Sequence, residues 1–262
     1  MTDAFYVADG DAFESTELTR GPWDPAAQHA GPPSGLLARA VEHCEPRAEM
    51  QVARITLEIL RPVPLARLVC SARVVRGGRS VELLEAELRA DGGEELMRAR
   101  AWRIRTADIG LPEVDRRSFG SAGPHEGEDR DFPVPVEDAR GYWTAMDYRF
   151  VSGAFKEPGP ALVWLRMSVA LVEGEEPSPL VRVMAAADSG NGVSAALDWR
   201  KWLFINTDLT VHLHRMPEGE WVGLDSETVL EPNGIGMSDT VLGDERGAIG
   251  RAVQSLLVGP RG

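Results

Sequence analysis

A carboxylate, a hydroxyl and a carboxamide stand in the second half of this chain, at positions from which they could act together on one small molecule. Asp208 lies in the stretch NTDLTVHLHR, where Leu209, Val211 and Leu213 alternate with Asp208, Thr210, His212 and His214. A period of two is the pattern of a half-buried strand, and it sets the acid on the polar face. A carboxylate so placed can accept a proton, and a hydroxyl and a carboxamide can each donate and accept hydrogen bonds. Thr228 and Gln254 carry those two groups on later strands. Taken singly, an acid near a strand end more often faces solvent, Thr228 is a good strand residue, and Gln254 is an ordinary polar one. Their conjunction is what points to a site.

The elements that must position them come in two similar series. The first runs through the loop GPWDPAAQHA and the helical GPPSGLLARAVEHC, whose Pro32 suits a first helical turn, to the strands QVARITLEIL, LARLVCSARVV, RSVELLEAELRA and ELMRARAWRI. The second has strands YWTAMDYRFVSG and ALVWLRMSVAL, a helical SPLVRVMAAADS, then strands FINTDLTVHLHR, EWVGLDSETVL, GIGMSDTVL and AIGRAVQSLLV. Setting Thr56 on Thr210, an offset of 154, also sets Val75 on Val229 and Leu88 on Leu242 without a gap. An internal duplication is the simplest account. Under it Asp208 falls on Arg54, Thr228 on Val74 and Gln254 on Arg100, so the three polar groups belong to the second copy alone. Treating the turns MPEG, EPN and DER as successive hairpins levels Asp208 with Thr228, Thr228 with Met237, and Met237 with Gln254. The expected site is one transverse line across the sheet.

Composition narrows the partners. The 262 residues carry a formal charge of -13 and a pI near 4.9, which argues against nucleic acid as the main partner. No apolar run is long enough to span a membrane and the acidic N-terminus is unlike a signal peptide, so the expected location is cytoplasmic. Cys44 and Cys70 lack metal-ligand spacing, and in the H-x-H of His212 and His214 the obvious carboxylate, Asp208, stands about 20 Å from His214 along an extended strand. No metal and no cofactor is expected. Neither a G-x-S-x-G elbow nor a phosphate-binding glycine loop is present. Trp143, Trp164, Trp199 and Trp202 read as core, with some of them free to line an apolar tunnel.

In QHAGPPSGLLARA, DLTVHLHR, GEWVGLDSET and GRAVQSLLV the chain resembles the TesB-like acyl-CoA thioesterases, over nearly its whole length. The resemblance implies an α+β double hotdog, two tandem units that each wrap a curved antiparallel sheet around a long helix. Residues 1–108 would form the N-terminal hotdog and 140–262 the C-terminal one carrying the catalytic residues. A linker would run over 109–139, a stretch rich in Pro, Gly and charge. The resemblance also implies hydrolysis of acyl-CoA, or a related acyl thioester, to free acid and CoA. In the family an acid, a hydroxyl and a glutamine of the second hotdog hold the water, which places those roles on Asp208, Thr228 and Gln254. Donors for the developing oxyanion are expected at the start of the first helix, at Gly31 and Ser34, because Pro32 and Pro33 have no N–H. His29, beside that start, either touches a ligand or stabilises the turn. The competing reading is an acyl-thioester binding protein without turnover. A hotdog hydratase is disfavoured, since its Asp pairs with a His five residues on and Leu213 occupies that place. No membrane or nucleic acid partner is expected, and a homo-oligomer is left open.

Overall fold

The computed structural model describes residues 3–112, 118–120, 122–130, 132 and 140–261, so the expected linker lies partly outside the described residues. Strands β1 (Ala4–Asp9) and β2 (Ala12–Ser15) precede helix α1 (Gly31–His43), which is followed by β3 (Met50–Ile59), β4 (Arg67–Arg76), β5 (Val81–Ala90) and β6 (Glu95–Arg105). The second half contains β7 (Met146–Ala154), β8 (Glu157–Met167), β9 (Ala170–Val172), α2 (Pro179–Ala187) and α3 (Gly190–Val193). It ends with β10 (Trp202–Asn206), β11 (Asp208–Leu213), β12 (Val222–Leu230), β13 (Ile235–Asp244) and β14 (Gly247–Pro260).

All fourteen strands join one mixed sheet, in the order β7-β8-β12-β13-β14-β11-β3-β6-β5-β4-β2-β1-β9, with β10 paired to β14. Read outward from the β11–β3 seam, the second half runs 11-14-13-12-8-7 and the first 3-6-5-4-2-1, so the two halves repeat one topology. At the seam Leu209 pairs with Leu57, Thr210 with Thr56 and Val211 with Ile55. Thr210 meets its own counterpart while Leu209 and Val211 each meet the counterpart of the other, so a pseudo-two-fold axis passes between the two threonines, whose Oγ1 atoms are 3.2 Å apart.

Both main helices are buried against this sheet. Pro32 and Pro33 occupy the first turn of α1, and Leu36, Leu37 and Val41 supply a fully buried stripe. In α2, Ser178 caps the start by accepting from the Val181 N–H at 3.1 Å, Pro179 fills the first position, and Leu180, Val183 and Met184 are buried. The run Ala185, Ala186, Ala187 lets α2 approach its neighbours closely. At its closest approach to α1, a Cβ added to Gly31 would lie 2.5 Å from the Ala185 carbonyl oxygen.

Three sequence expectations change here. First, β11 is not hairpinned to β12; it lies between β14 and β3, while β12 lies between β13 and β8. Second, the segment expected as one strand breaks at Thr207, whose N–H goes to the Ser255 carbonyl and whose carbonyl accepts from Ile59 N–H. Third, the hairpin turn between β13 and β14 holds two residues where the turn between β5 and β6 holds three, so the offset becomes 153 beyond it. The counterpart of Gln254 is therefore the buried Ala101, not Arg100.

Candidate active site

Thr228 and Gln254 do share a rung. Thr228 pairs with Ser238, and Ser238 with Gln254, one residue from the expected Met237. Paired residues point to the same face, and here it is the inner one: Ser238 and Gln254 are each 1% exposed. Two strand spacings still separate Thr228 from Gln254 by about 10 Å. Thr228 spends its proton on Ser194 Oγ, 2.8 Å away, because the Ser194 proton goes to the Gly190 carbonyl.

Asp208 is not part of this rung. Thr210 pairs with Val253, which levels Asp208 with Ser255 rather than with Gln254, and a slip of one residue is a change of face. Its Oδ1 accepts the Ser255 N–H at 3.0 Å on the outer side of the sheet, next to Glu58. The structure brings Asp208 together with neither Thr228 nor Gln254.

The acid that Gln254 does meet is Asp188, at the C-terminal end of α2 and 5% exposed. Asp188 Oδ1 accepts from Asn206 Nδ2 at 2.8 Å and from Gln254 Nε2 at 3.4 Å, and Gln254 Nε2 also donates to the Asp188 carbonyl at 3.2 Å. The other end of the Gln254 amide accepts the Asn191 N–H at 3.2 Å, and Asn191 Nδ2 donates to the Phe204 carbonyl at 3.1 Å. Gly190 makes this contact between helix end and sheet feasible. A Cβ there would stand 2.7 Å from Thr240 Oγ1 and 3.3 Å from both Gln254 Oε1 and Ser238 Oγ.

His29 completes the group from the first half. Its ring stacks on Tyr142 with centroids 3.8 Å apart, and the Tyr142 hydroxyl is pinned by the Ala185 carbonyl at 2.7 Å and Ser189 Oγ at 2.9 Å. His29 Nδ1 lies 3.0 Å from Asp188 Oδ2 and 3.0 Å from the Gly31 nitrogen. One ring nitrogen offers a lone pair or a proton, so these neighbours compete for it. A lone pair would face the lone pairs of the carboxylate at that distance; a proton on Nδ1, donated to Asp188, removes the repulsion and leaves the lone pair on Nε2.

Burial pulls His29 below the usual histidine range, against the opposing effect of Asp188. The folded ring binds its proton more weakly than the unfolded one, so its contribution to stability is full above the reference value of 6.5 and is lost as pH falls through the folded pKa. The urea midpoint of His29→Gln should therefore fall less than that of the wild type between about pH 7 and about pH 5. An equal fall in both proteins would mean that the ring is not held neutral.

Of the donors expected at the first turn of α1, the Ser34 N–H is spent within the helix, whereas a proton on His29 Nδ1 leaves the Gly31 N–H without an acceptor there. The Gly31 N–H faces His29 Nδ1, Pro32 and Pro33 have none, and the Ser34 N–H bonds the Ala30 carbonyl at 2.9 Å. The Ser34 hydroxyl also turns inward to Ala30 O, at 2.6 Å.

Beside the polar group lies an apolar recess with about 410 Å³ of empty space, part of it open to solvent. Trp23, Phe132, Phe155, Trp199 and Phe204 line it, and Gly192 and Ala195 of the α3 region border it. Trp199 is thus a lining residue, whereas Trp164 is core at 2% exposure. Among the described residues, no group of His, Cys, Asp and Glu is arranged to hold a metal ion, and no helix is long and apolar enough to cross a membrane.

An acid clamped by two carboxamides at the edge of an apolar recess suits a reaction on an acyl group, and comparison with known families gives that reaction its context. Residues 121–258 match the model of the acyl-CoA thioesterase C-terminal domain, and residues 19–104 that of the N-terminal domain. The chain belongs to the acyl-CoA thioesterase family. Among solved structures, this thioesterase family member is similar to a hot dog fold protein of unknown function from Alicyclobacillus acidocaldarius, at 16% identity and TM-score 0.74, covering 99% of this chain and 97% of that one. It is also similar to the tesB protein of Mycobacterium avium subsp. paratuberculosis, at 13% identity and TM-score 0.66, covering 97% and 96%. A third is the acyl-CoA thioesterase II TesB2 of Mycobacterium marinum, at 14% identity and TM-score 0.65, covering 97% and 94%. What is shared at such identities is the hot dog fold. No curated protein matches the sequence.

Proposed function

We propose that this thioesterase family member hydrolyses acyl-CoA to free acid and CoA at the site formed by Asp188, His29, Asn206 and Gln254, on a double hotdog with units 1–108 and 140–262 joined by 109–139. The observation that carries the reading is the convergence of these four side chains beside the apolar recess. Asn206 and Gln254 hold the Asp188 carboxylate in one orientation, and Asp188 in turn orients His29. Water attacks the thioester carbonyl carbon and gives its proton to the Asp188–His29 pair. Collapse of the tetrahedral intermediate breaks the C–S bond, and the departing CoA sulfur takes that proton back. The acyl group occupies the recess, away from water.

A second reading has its own observation. Both carboxylate oxygens of Asp188 and both ends of the Gln254 amide already have partners within the protein, as in a site that binds a thioester without turning it over. Thiol release from acyl-CoAs of graded length separates the two. The thioesterase reading expects release with saturating kinetics for at least one acyl-CoA. Binding of acyl-CoA at micromolar concentration with no release from any would select the non-catalytic protein.

A further inference from the structure

We infer that the outer face of the sheet carries a second site, which binds a phosphate-type dianion at Arg54, on the seam between the two halves. The site does not rest on the hydrolase reading, because the sheet stands between it and the Asp188 cluster.

Strand alternation sets the donors on that face. Ile55 and Leu57 of β3 are buried inward, so Arg54, Thr56 and Glu58 point outward. The ladders extend these residues into rows. Arg54 pairs with His212 on one side and Trp102 on the other. Thr56 pairs with Thr210 and Arg100, Arg100 with Glu85, and Glu85 with Arg73. Directly paired side chains start about 5 Å apart and diagonal ones about 7 Å, so Arg54, Thr56, Arg100 and His212 can reach one point. Arg54, Thr56, Arg73, Glu85 and Arg100 line a depression of about 640 Å³ that is partly open to solvent.

The charges lining it are unevenly matched. Glu85 accepts on one carboxylate oxygen from Arg73 and on the other from Arg100. Further along the strands Arg98 is bidentate on Glu95, at 2.8 Å, and lies 3.9 Å from Glu58, while Arg89 pairs with Glu87. Of the four arginines that line the depression, Arg54 is the one with neither a hydrogen bond nor an ion pair among the described residues, and its Nε is buried without a partner. Three guanidinium groups, of Arg54, Arg73 and Arg100, against the single carboxylate of Glu85 leave two positive charges at this end. The neighbouring acids are spent on other arginines, so the acceptor that suits Arg54 comes from outside the chain. A dianionic oxyanion fits that need, since arginine forks bind phosphate oxygens in pairs. Thr56 Oγ1 accepts from Thr210 Oγ1 at 3.2 Å and keeps its own proton to donate. His212, exposed and directly opposite Arg54, adds a ring N–H from the second half. An anion held by these groups touches both halves and ties the seam together.

Isothermal titration with inorganic phosphate and with glycerol phosphate, at an ionic strength fixed by chloride, tests the site on the wild type, Arg54→Met, Arg54→Lys and Arg98→Met. The expected result is a Kd of about 1 mM or below for at least one probe in the wild type. Arg54→Met should weaken it about tenfold or more, and Arg54→Lys, which keeps the charge and loses the fork, should fall between the two. Arg98→Met, on an arginine already matched by Glu95, should stay within about twofold. Tighter binding of inorganic phosphate marks a site for the free ion, and tighter binding of the ester marks the phosphate group of a larger molecule. Phosphate at about ten times its Kd should also raise the urea midpoint of the wild type and not that of Arg54→Met, whatever the thiol-release assays give. No saturable binding of either probe up to about 20 mM, or equal binding by wild type and Arg54→Met, would overturn the inference. So would a dimer, seen by light scattering, that Arg54→Met dissociates while neither probe binds, since a carboxylate of a second copy would then be the acceptor for Arg54.

Discussion

Asp188→Asn should abolish most turnover, by about a thousandfold in kcat, while the protein stays folded. The substitution keeps the shape of the side chain. An asparagine oxygen can still accept from Asn206 Nδ2, which now lies at 2.8 Å, and its new N–H can donate to the His29 nitrogen 3.0 Å away. What disappears is the negative charge that makes the pair basic and fixes the His29 tautomer. Steady-state thiol release and a urea titration on the same preparation give the check. Asp208→Asn is the matched control, expected to stay within about twofold because Asp208 bonds a backbone N–H on the outer face. A large loss at Asp208 with little at Asp188 would return the catalytic role to the outer face and sink the site described above.

Gly31→Ala should be the most damaging methyl addition at the junction of the helices, costing about 1–3 kcal/mol. The backbone at Gly31 does not have a positive φ, so alanine is not excluded by conformation. The obstacle is the Ala185 carbonyl oxygen, 2.5 Å from the new Cβ, with the His29 and Tyr142 rings at 3.1 Å on its other sides. Backbone on one side and a stacked pair on the other leave little to yield, so α1 and α2 must separate. That separation loosens the Asp188–His29 contact, and activity should fall together with the denaturation midpoint. Gly192→Ala gives the opposite sign, since its methyl enters open space in a helical segment and should be neutral or stabilising by about 0.5 kcal/mol. A Gly31→Ala protein as stable as the wild type would show that the helices can move apart freely.

The duplication, the faces of β11 and the first helix were legible in the sequence, because each depends on a local period. Leu209, Val211 and Leu213 are buried as the alternation requires, and Pro32 begins α1 where its missing N–H is harmless. The acid that Gln254 meets was not legible, for a reason visible in three residues. Asn206 and Asp208 are two apart and would face the same way in an unbroken strand. The break at Thr207 turns Asn206 inward to Asp188 and leaves Asp208 outside. Which strands are neighbours decided the rest: β11 lies beside β14 through a crossover, not beside β12 through a hairpin, and no counting from turns reveals that. One sign was available. An acid closing an alanine-rich helix, followed by Ser-Gly-Asn-Gly, is a helix end built to lie flat on another element.

The meeting of Thr56 and Thr210 has a consequence for how such a site could become unequal. Two separate copies of one gene product joined across that seam would be bound to mirror every change, so a polar group gained on one side would be imposed on the other. Joined in a single chain, each side can be altered alone, while the tether keeps the partner at high effective concentration. The positions matching Asn206 and Gln254 are Val52 and Ala101, at 4% and 0% exposure. The first half has given those places to hydrocarbon packing, and so contributes firmness and one imidazole to a polar cluster whose other members lie across the seam.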